Sequence, residues 1–347
     1  MSALQPILVP LSWLYGGGVR VRNAFYDAGV CKSERFGVPV VSVGNITAGG
    51  TGKTPFVEYL VQYFTNKRKR VAVLSRGYRR ASTGTVVVSD GTALREGPDR
   101  SGDEPYQIAR RFPGAAVISD ERRRRSARIA VDELHAEAII LDDGFQHRAI
   151  SRDLDIVMLR PGERPGWTPM LPAGLRREPL SSLRRAGLVA VSEGAGTNRE
   201  PSDLKRYTSA PIIRVRFKPD CIFRVFGMER LSSGHLAGKK VMAFCGIANP
   251  AGFENTLREM ETDLAETMRF PDHHRFTTEE FRRIRDTFER SEAAMILTTE
   301  KDAVRCATPE GESILGALPF CFIRLSTEII EGGERLHSLL DSLLGGG

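Results

Sequence analysis

One segment limits what this chain can fold into more than any other: Val40-Val41-Ser42-Val43-Gly44-Asn45-Ile46-Thr47-Ala48-Gly49-Gly50-Thr51-Gly52-Lys53-Thr54. A short β-branched run enters a glycine-rich loop, and Phe56–Phe64 leaves it with helical periodicity. That strand–loop–helix order is the context of a phosphate-binding Walker A loop. Glycines let backbone N–H groups curl around phosphate oxygens, and the helix N-terminus adds its positive dipole. Asn45, Thr47, Ala48, Gly49, Gly50, Thr51, Gly52, Lys53 and Thr54 are therefore candidate nucleotide-binding residues. Lys53 is expected to reach the β- and γ-phosphates of ATP, and the Thr54 hydroxyl to ligate Mg²⁺. The motif departs from GxxxxGK[ST] at one place, since its first glycine position is Thr47.

From residue 38 onward the strand–loop–helix pattern repeats. Buried-strand runs at Arg70–Leu74, Gly84–Ser89, Ala138–Leu141, Asp155–Leu159 and Gly187–Val191 alternate with helical stretches at Tyr106–Arg111 and Ser126–Leu134. This predicts an α/β fold, a P-loop NTPase-like doubly wound parallel sheet. Pro211–Phe217 and Cys221–Phe226 alternate apolar and polar residues, which predicts an extended pair. Beyond them a second, smaller α/β unit is expected. The division that follows is a P-loop domain over 1–215, a β linker or hinge over 216–228, and a smaller domain over 229–347.

Asp142 and Asp143 close the run Ala138-Ile139-Ile140-Leu141, so they stand where a Walker B carboxylate holds the metal. A bare Asp-Asp-Gly turn is the alternative, and the phosphate loop favours the metal. Asp103 and Glu104, within Ser101-Gly102-Asp103-Glu104-Pro105, offer a carboxylate that could take a hydroxyl proton, although they also read as an ordinary acidic helix start. Phe270-Pro271-Asp272-His273-His274 carries two histidines without the further ligands a metal site needs, so a histidine–carboxylate dyad is the sharper reading. Lys301 and Asp302, after Thr298-Thr299, could frame a nucleotide base or form a surface ion pair.

The five cysteines form no CxxC pair and are odd in number, which argues against a disulfide framework and for a reducing compartment. Net charge is +7, which suits nucleic acid, an anionic membrane or a phosphorylated ligand. The first nineteen residues carry no charge, yet lack the basic start of a signal peptide. Pro6, Pro10 and Gly16–Gly18 interrupt the stretch, leaving it too short to span a bilayer. Leu4, Leu8, Leu11 and Tyr15 recur at helical spacing, with Ile7, Trp13 and Leu14 nearby and Arg20 and Arg22 following. A helix over about 3–15 could lie in a membrane interface or pack on the core.

Taken together, the loop Gly44–Pro55, Ser75-Arg76-Gly77-Tyr78, Gly102-Asp103-Glu104-Pro105, Asp142-Asp143-Gly144-Phe145-Gln146-His147, Asp272-His273-His274 and Thr298-Thr299-Glu300-Lys301-Asp302 closely resemble the tetraacyldisaccharide 4′-kinase (lipid A 4′-kinase) family. The Thr47 departure belongs to that family's own loop. The resemblance implies transfer of the γ-phosphoryl group of ATP to the 4′-hydroxyl of a tetraacylated glucosamine disaccharide 1-phosphate. It implies work at the cytoplasmic face of a bacterial inner membrane, with the N-terminal helix in the interface and no nucleic-acid partner. It assigns Asp103 as catalytic carboxylate, with His273 as its helper and His274 as fallback. It assigns Thr54, Glu104, Asp142 and Asp143 to Mg²⁺ and phosphates, and Thr299, Lys301 and Asp302 to the nucleotide. Arg76, Tyr78, Gln146 and His147 fall to the substrate. A single site drawing on both domains implies a cleft that tightens on ATP. Two other classes compete: a P-loop kinase of a small metabolite and a non-enzymatic P-loop ATPase switch.

Overall fold

The computed structural model describes residues 5–160, 169–193, 204–231 and 236–345. They form two compact units, one running to Phe217 and resuming at Thr327, the other covering Lys218–Ser326. In chain order the first unit holds α1 (Gln5–Asp27), β1 (Val40–Asn45), α2 (Lys53–Asn66), β2 (Val71–Ser75), β3 (Val86–Asp90), the single turn α3 (Pro98–Ser101), α4 (Asp103–Arg111), β4 (Ala116–Ser119), α5 (Arg123–Arg128), β5 (Ala138–Asp142), β6 (Leu154–Leu159) and β7 (Leu188–Ser192). Strand β8 (Ile212–Arg224) leads into the second unit. That unit contains β9 (Arg230–Leu231), β10 (Lys240–Cys245), α6 (Pro250–Glu259), β11 (Asp263–Arg269), α7 (Thr278–Arg290), β12 (Met295–Thr299), α8 (Glu300–Cys306) and α9 (Pro309–Leu315). Strand β13 (Phe320–Glu331) leads back to α10 (Gly333–Leu344).

In the first unit the strand order is β8-β7-β6-β1-β5-β2-β4-β3. Neighbours are parallel except β3, which pairs antiparallel with β4 at the edge. Strands β1, β2, β4, β5, β6 and β7 are buried along their whole length. Helices on both faces demand such continuous apolar runs, which is why all of those strands except β4 were legible. Strand β4 escaped because Ala116-Val117-Ile118-Ser119 is too short to show a period. Strand β1 lies between β5 and β6, where the order of the chain reverses, so a crevice opens beyond its carboxyl end. Helix α2, which starts there, buries Phe56, Val57, Leu60, Val61 and Phe64 against the sheet.

The second unit has strand order β11-β10-β12-β13, all parallel. Phe244, Phe270, Phe281, Phe320 and Phe322 fill its core. Four cysteines are buried, Cys31 is half-buried, and all five are free, as expected of small core residues.

Three expectations need correction. The pair expected over 211–226 is one continuous strand, β8, whose far end forms a hairpin with β9. The segment after 326 returns to the first unit: Leu336 and Leu340 of α10 are fully buried in the same core as α2. Tyr59 and Tyr63 of α2 reach His337 and Asp341 at 2.7 Å each, and Lys67 pairs with Asp341 at 2.8 Å. The N-terminal helix does not stop near 15; it runs through Pro10 and Gly16–Gly18 to Asp27, while residues 3 and 4 of the expected 3–15 span lie outside the described residues. Tertiary contacts override the local breakers: Ser12, Val19 and Asn23 are buried on one face. The opposite face leaves Leu11, Leu14, Val21 and Phe25 exposed, with Trp13 and Tyr15 beside it. No described helix is long and apolar enough to cross a membrane.

Candidate active site

The phosphate loop, residues 46–52, joins β1 to α2. Gly52 is its hinge with φ 80°, the left-handed region that favours glycine, and it caps α2 directly before Lys53. A Cβ there would also collide with the ring of Phe217. Asn45 Nδ2 donates across the loop to Thr51 Oγ1 at 3.0 Å. Gln146 Nε2 donates to the Asn45 carbonyl at 2.8 Å, and Arg160 Nε to the Gly50 carbonyl at 2.9 Å. From the other side, Ala48 N donates to the Leu175 carbonyl and Arg177 N to the Ile46 carbonyl. These bonds tie the loop backbone to the segments around it.

Two carboxylates face this loop from the end of β5, and they differ in kind. Asp142 is almost fully buried. Its Oδ2 accepts from Ser75 Oγ at 3.0 Å, while Oδ1 has no partner. Burial, with the charges of Glu104 and Asp143 added, pushes its pKa up to about 7. Lys53 lowers it without offsetting that rise. Thr54, the first-turn hydroxyl of α2, is buried at the same end of the sheet. An orphaned buried oxygen, a nearby glutamate and a threonine hydroxyl form a donor set of the hard oxygen type Mg²⁺ prefers, so these residues fit the ion.

Asp143 is turned the other way by a φ of 50°. Both its oxygens accept from Arg177, at 2.8–2.9 Å, and Lys53 Nζ lies 3.4 Å away. Although burial opposes it, Lys53 and Arg177 hold Asp143 well below the usual carboxylate range. Asp143, expected at the metal, therefore sits in a cation network. Arg123, nearly fully buried, lies close enough to both aspartates to feel their charge, and burial lowers its pKa to about 10.

Asp103 and Glu104 open α4, positioned by Gly102, whose Cα packs against Gly77. The Ser75–Tyr78 and Gly102–Glu104 motifs are thus adjacent. Arg76 and Tyr78 are exposed there, and the Arg79 guanidinium lies 5.5 Å from the Tyr78 ring. Of the residues expected to hold substrate, Gln146 spends its N–H on the phosphate loop. His147 is half-buried with Nε2 unpartnered; burial, then Arg123 and Arg152, push it down to about 4, so it is neutral.

The second unit gathers its own cluster. Asp302, fully buried, accepts from Gly246 N at 3.0 Å and Thr299 Oγ1 at 2.6 Å, and pairs with Arg305 at 2.8 Å. Asp302 thus finds an ion-pair partner in Arg305, which no motif had singled out. The i,i+3 spacing puts Arg305 on the face of α8 that carries Asp302. Arg305 also reaches His273 Nδ1 at 3.3 Å. A guanidinium only donates, so Nδ1 accepts and the neutral ring carries its proton on Nε2. That nitrogen lies 4.0 Å from Asp272. His274 sits within 2.9 Å of both Glu280 oxygens and stacks on Phe270 at 5.0 Å. Its bonds hold the loop to the start of α7. Sequence reasoning singled out none of Arg123, Arg160, Arg177 and Arg305 for the site, because an arginine, alone or within a run such as Arg122–Arg125, carries no positional signal until the fold supplies its partner.

A sequence model described as tetraacyldisaccharide-1-P 4′-kinase (LpxK) matches residues 4–344. A tetraacyldisaccharide 4′-kinase of Anaeromyxobacter sp. (strain K) is 39% identical over 93% of this chain and 86% of its own length. One from Syntrophus aciditrophicus is 37% identical over 99% of this chain and 95% of its own. The crystal structure of LpxK from Aquifex aeolicus in complex with ATP superposes with a TM-score of 0.80 at 33% identity, covering 98% of this chain and 99% of that one.

Proposed function

The chain belongs to the tetraacyldisaccharide-1-P 4′-kinase family, and on that footing we propose how its residues divide the work. It is an ATP-dependent kinase that phosphorylates the 4′-hydroxyl of a tetraacyldisaccharide 1-phosphate in lipid A biosynthesis. The observation that carries the division of labour is the contrast between the two aspartates. Asp142 keeps an orphaned oxygen and feels the charge of Glu104, whereas Asp143 is held by Lys53 and Arg177.

Residues 44–54 cradle the phosphates of ATP, with Lys53 on the transferred group. Thr54, Asp142 and Glu104 hold Mg²⁺, which when bound neutralises charge on the phosphate oxygens. Asp143 keeps Lys53 and Arg177 in register and shares the phosphate field with them. Asp103 accepts the proton of the 4′-hydroxyl, and His273 assists. Arg76, Tyr78 and His147 face the acceptor. Thr299 and the Asp302–Arg305 pair order the nucleotide-side loop of the second unit. The exposed apolar face of α1 docks on the cytoplasmic leaflet of the inner membrane, with Arg20 attracted to anionic headgroups at roughly 1 kcal/mol.

The test is ATP-dependent phosphate transfer to a tetraacyldisaccharide 1-phosphate in mixed micelles. Lys53→Ala should cost about two orders of magnitude or more, the effect of removing one transition-state charge partner. Asp103→Asn combined with His273→Ala should cost far less than the product of the single losses, since a dyad acts as a unit. Multiplicative losses would dissolve the dyad. Near-normal turnover by Lys53→Ala would move the phosphates elsewhere.

A further inference from the structure

We infer that helix α1 is tied to the active-site carboxylate through the dipeptide Arg177-Glu178, which makes Tyr15 and Asn23 positioning residues for phosphoryl transfer. The two side chains of this dipeptide turn in opposite directions. Arg177 holds both oxygens of Asp143 and touches Asn45 Oδ1 at 3.3 Å. Glu178 is fully buried toward α1. Its carboxylate accepts from Asn23 Nδ2 at 2.9 Å, Arg22 Nη2 at 3.2 Å and Ser182 Oγ at 2.6 Å, and pairs with Arg185 at 3.1 Å. Tyr15 Oη donates to the Arg177 carbonyl at 3.1 Å. Further along the same segment, Ser12 Oγ donates to the Met170 carbonyl and accepts from Ala173 N.

The consequence follows from electrostatics. Asp143 balances two cations, Arg177 and Lys53. If Arg177 withdraws, Lys53 is the one cation left in direct contact with Asp143, with Arg123 acting from further away, and the half-buried carboxylate draws Lys53 from the phosphates because less positive charge competes for it. A buried glutamate bonded to α1 on one side, and an arginine bonded to Asp143 on the next residue, leave the segment little freedom. The position of α1 thereby sets the balance at Lys53. The face of α1 opposite these bonds is the exposed apolar one, so whatever engages that face acts on the same lever.

This inference rests on Lys53 and Asp143 serving the phosphates, and not on membrane docking. Tyr15→Phe removes one hydroxyl and Asn23→Ala one amide, and neither touches the exposed Leu11, Leu14, Val21 and Phe25. Each variant should lower kcat about three- to tenfold, the worth of one hydrogen bond. KM for ATP and retention on phosphatidylglycerol vesicles should stay near wild type, and the melting temperature should fall only slightly, more for Asn23→Ala than for Tyr15→Phe. In an Arg177→Ala background the same two substitutions should have no further effect on kcat, since the link is already cut. Unchanged kcat, or full additional losses in the Arg177→Ala background, would overturn the inference. Failure of the phosphate assignment would show separately, as a near-normal Lys53→Ala enzyme.

Discussion

At the scale of single residues, chemically identical side chains carry opposite electrostatics according to what surrounds them. Asp142 and Asp143 are neighbours, yet burial and like charge raise the first to about 7, while Lys53 and Arg177 lower the second. The consequence for stability has a definite sign. A carboxylate whose folded pKa is raised contributes fully below its unfolded value near 4, and that contribution is lost as pH rises toward about 7. Ionised Asp142 therefore destabilises the metal-free protein above neutrality. Asp142→Asn mimics the protonated acid, so it should raise the melting temperature at pH 8 in EDTA, leave it nearly unchanged at pH 4, and depress kinase activity. Melts across pH would measure this. A lower melting temperature at pH 8 would mean that the carboxylate already has a counter-charge.

At the scale of elements, α1 shows a helix with two assignments. Its inner face carries Ser12, Val19 and Asn23; its outer face carries Leu11, Leu14, Val21 and Phe25 at spacings of three, seven and four. At 1.5 Å per residue its 23 residues extend about 34 Å, but arginines and glycines within it rule out a span. Replacing Leu11, Leu14 and Val21 with Ser should release the protein from anionic vesicles and raise the apparent KM for lipid. Thermal stability should barely move, because exposed positions give up little burial. Melting many degrees lower with vesicle binding intact would mean that the outer face is covered by protein.

At the scale of the whole molecule, the chain is not partitioned by its order. Residues after 326 belong with the first unit, and α10 seals the helix that begins at Lys53. Leu336→Ala and Leu340→Ala should each cost about 2–5 kcal/mol, typical of emptying a buried leucine site. Hydrogen exchange should then rise along α2 and the strands beneath it, with the 218–326 unit keeping its protection. Equal loss of protection in both units would mean that they unfold as one.

The sequence by itself was enough for the parallel sheet, the phosphate loop and the carboxylates at the end of β5. Those features rest on local physics: continuous apolar runs for strands buried on both faces, glycines where backbone must wrap an anion, and acids at a strand end. It was also enough for the family, since motifs in fixed order survive without a fold. What it left open are matters of partnership. Whether Asp142 or Asp143 would face a cation depended on a φ of 50° and on Arg177 arriving from 34 residues away. Whether Asp302 would find Arg305 depended on which side of α8 turned inward. Whether α1 would end at Gly16–Gly18 depended on Asn23 finding Glu178, buried 155 residues on. Local sequence sets propensities worth fractions of a kcal/mol per residue. A buried charge left unpaired costs several, so the fold decides wherever the two disagree.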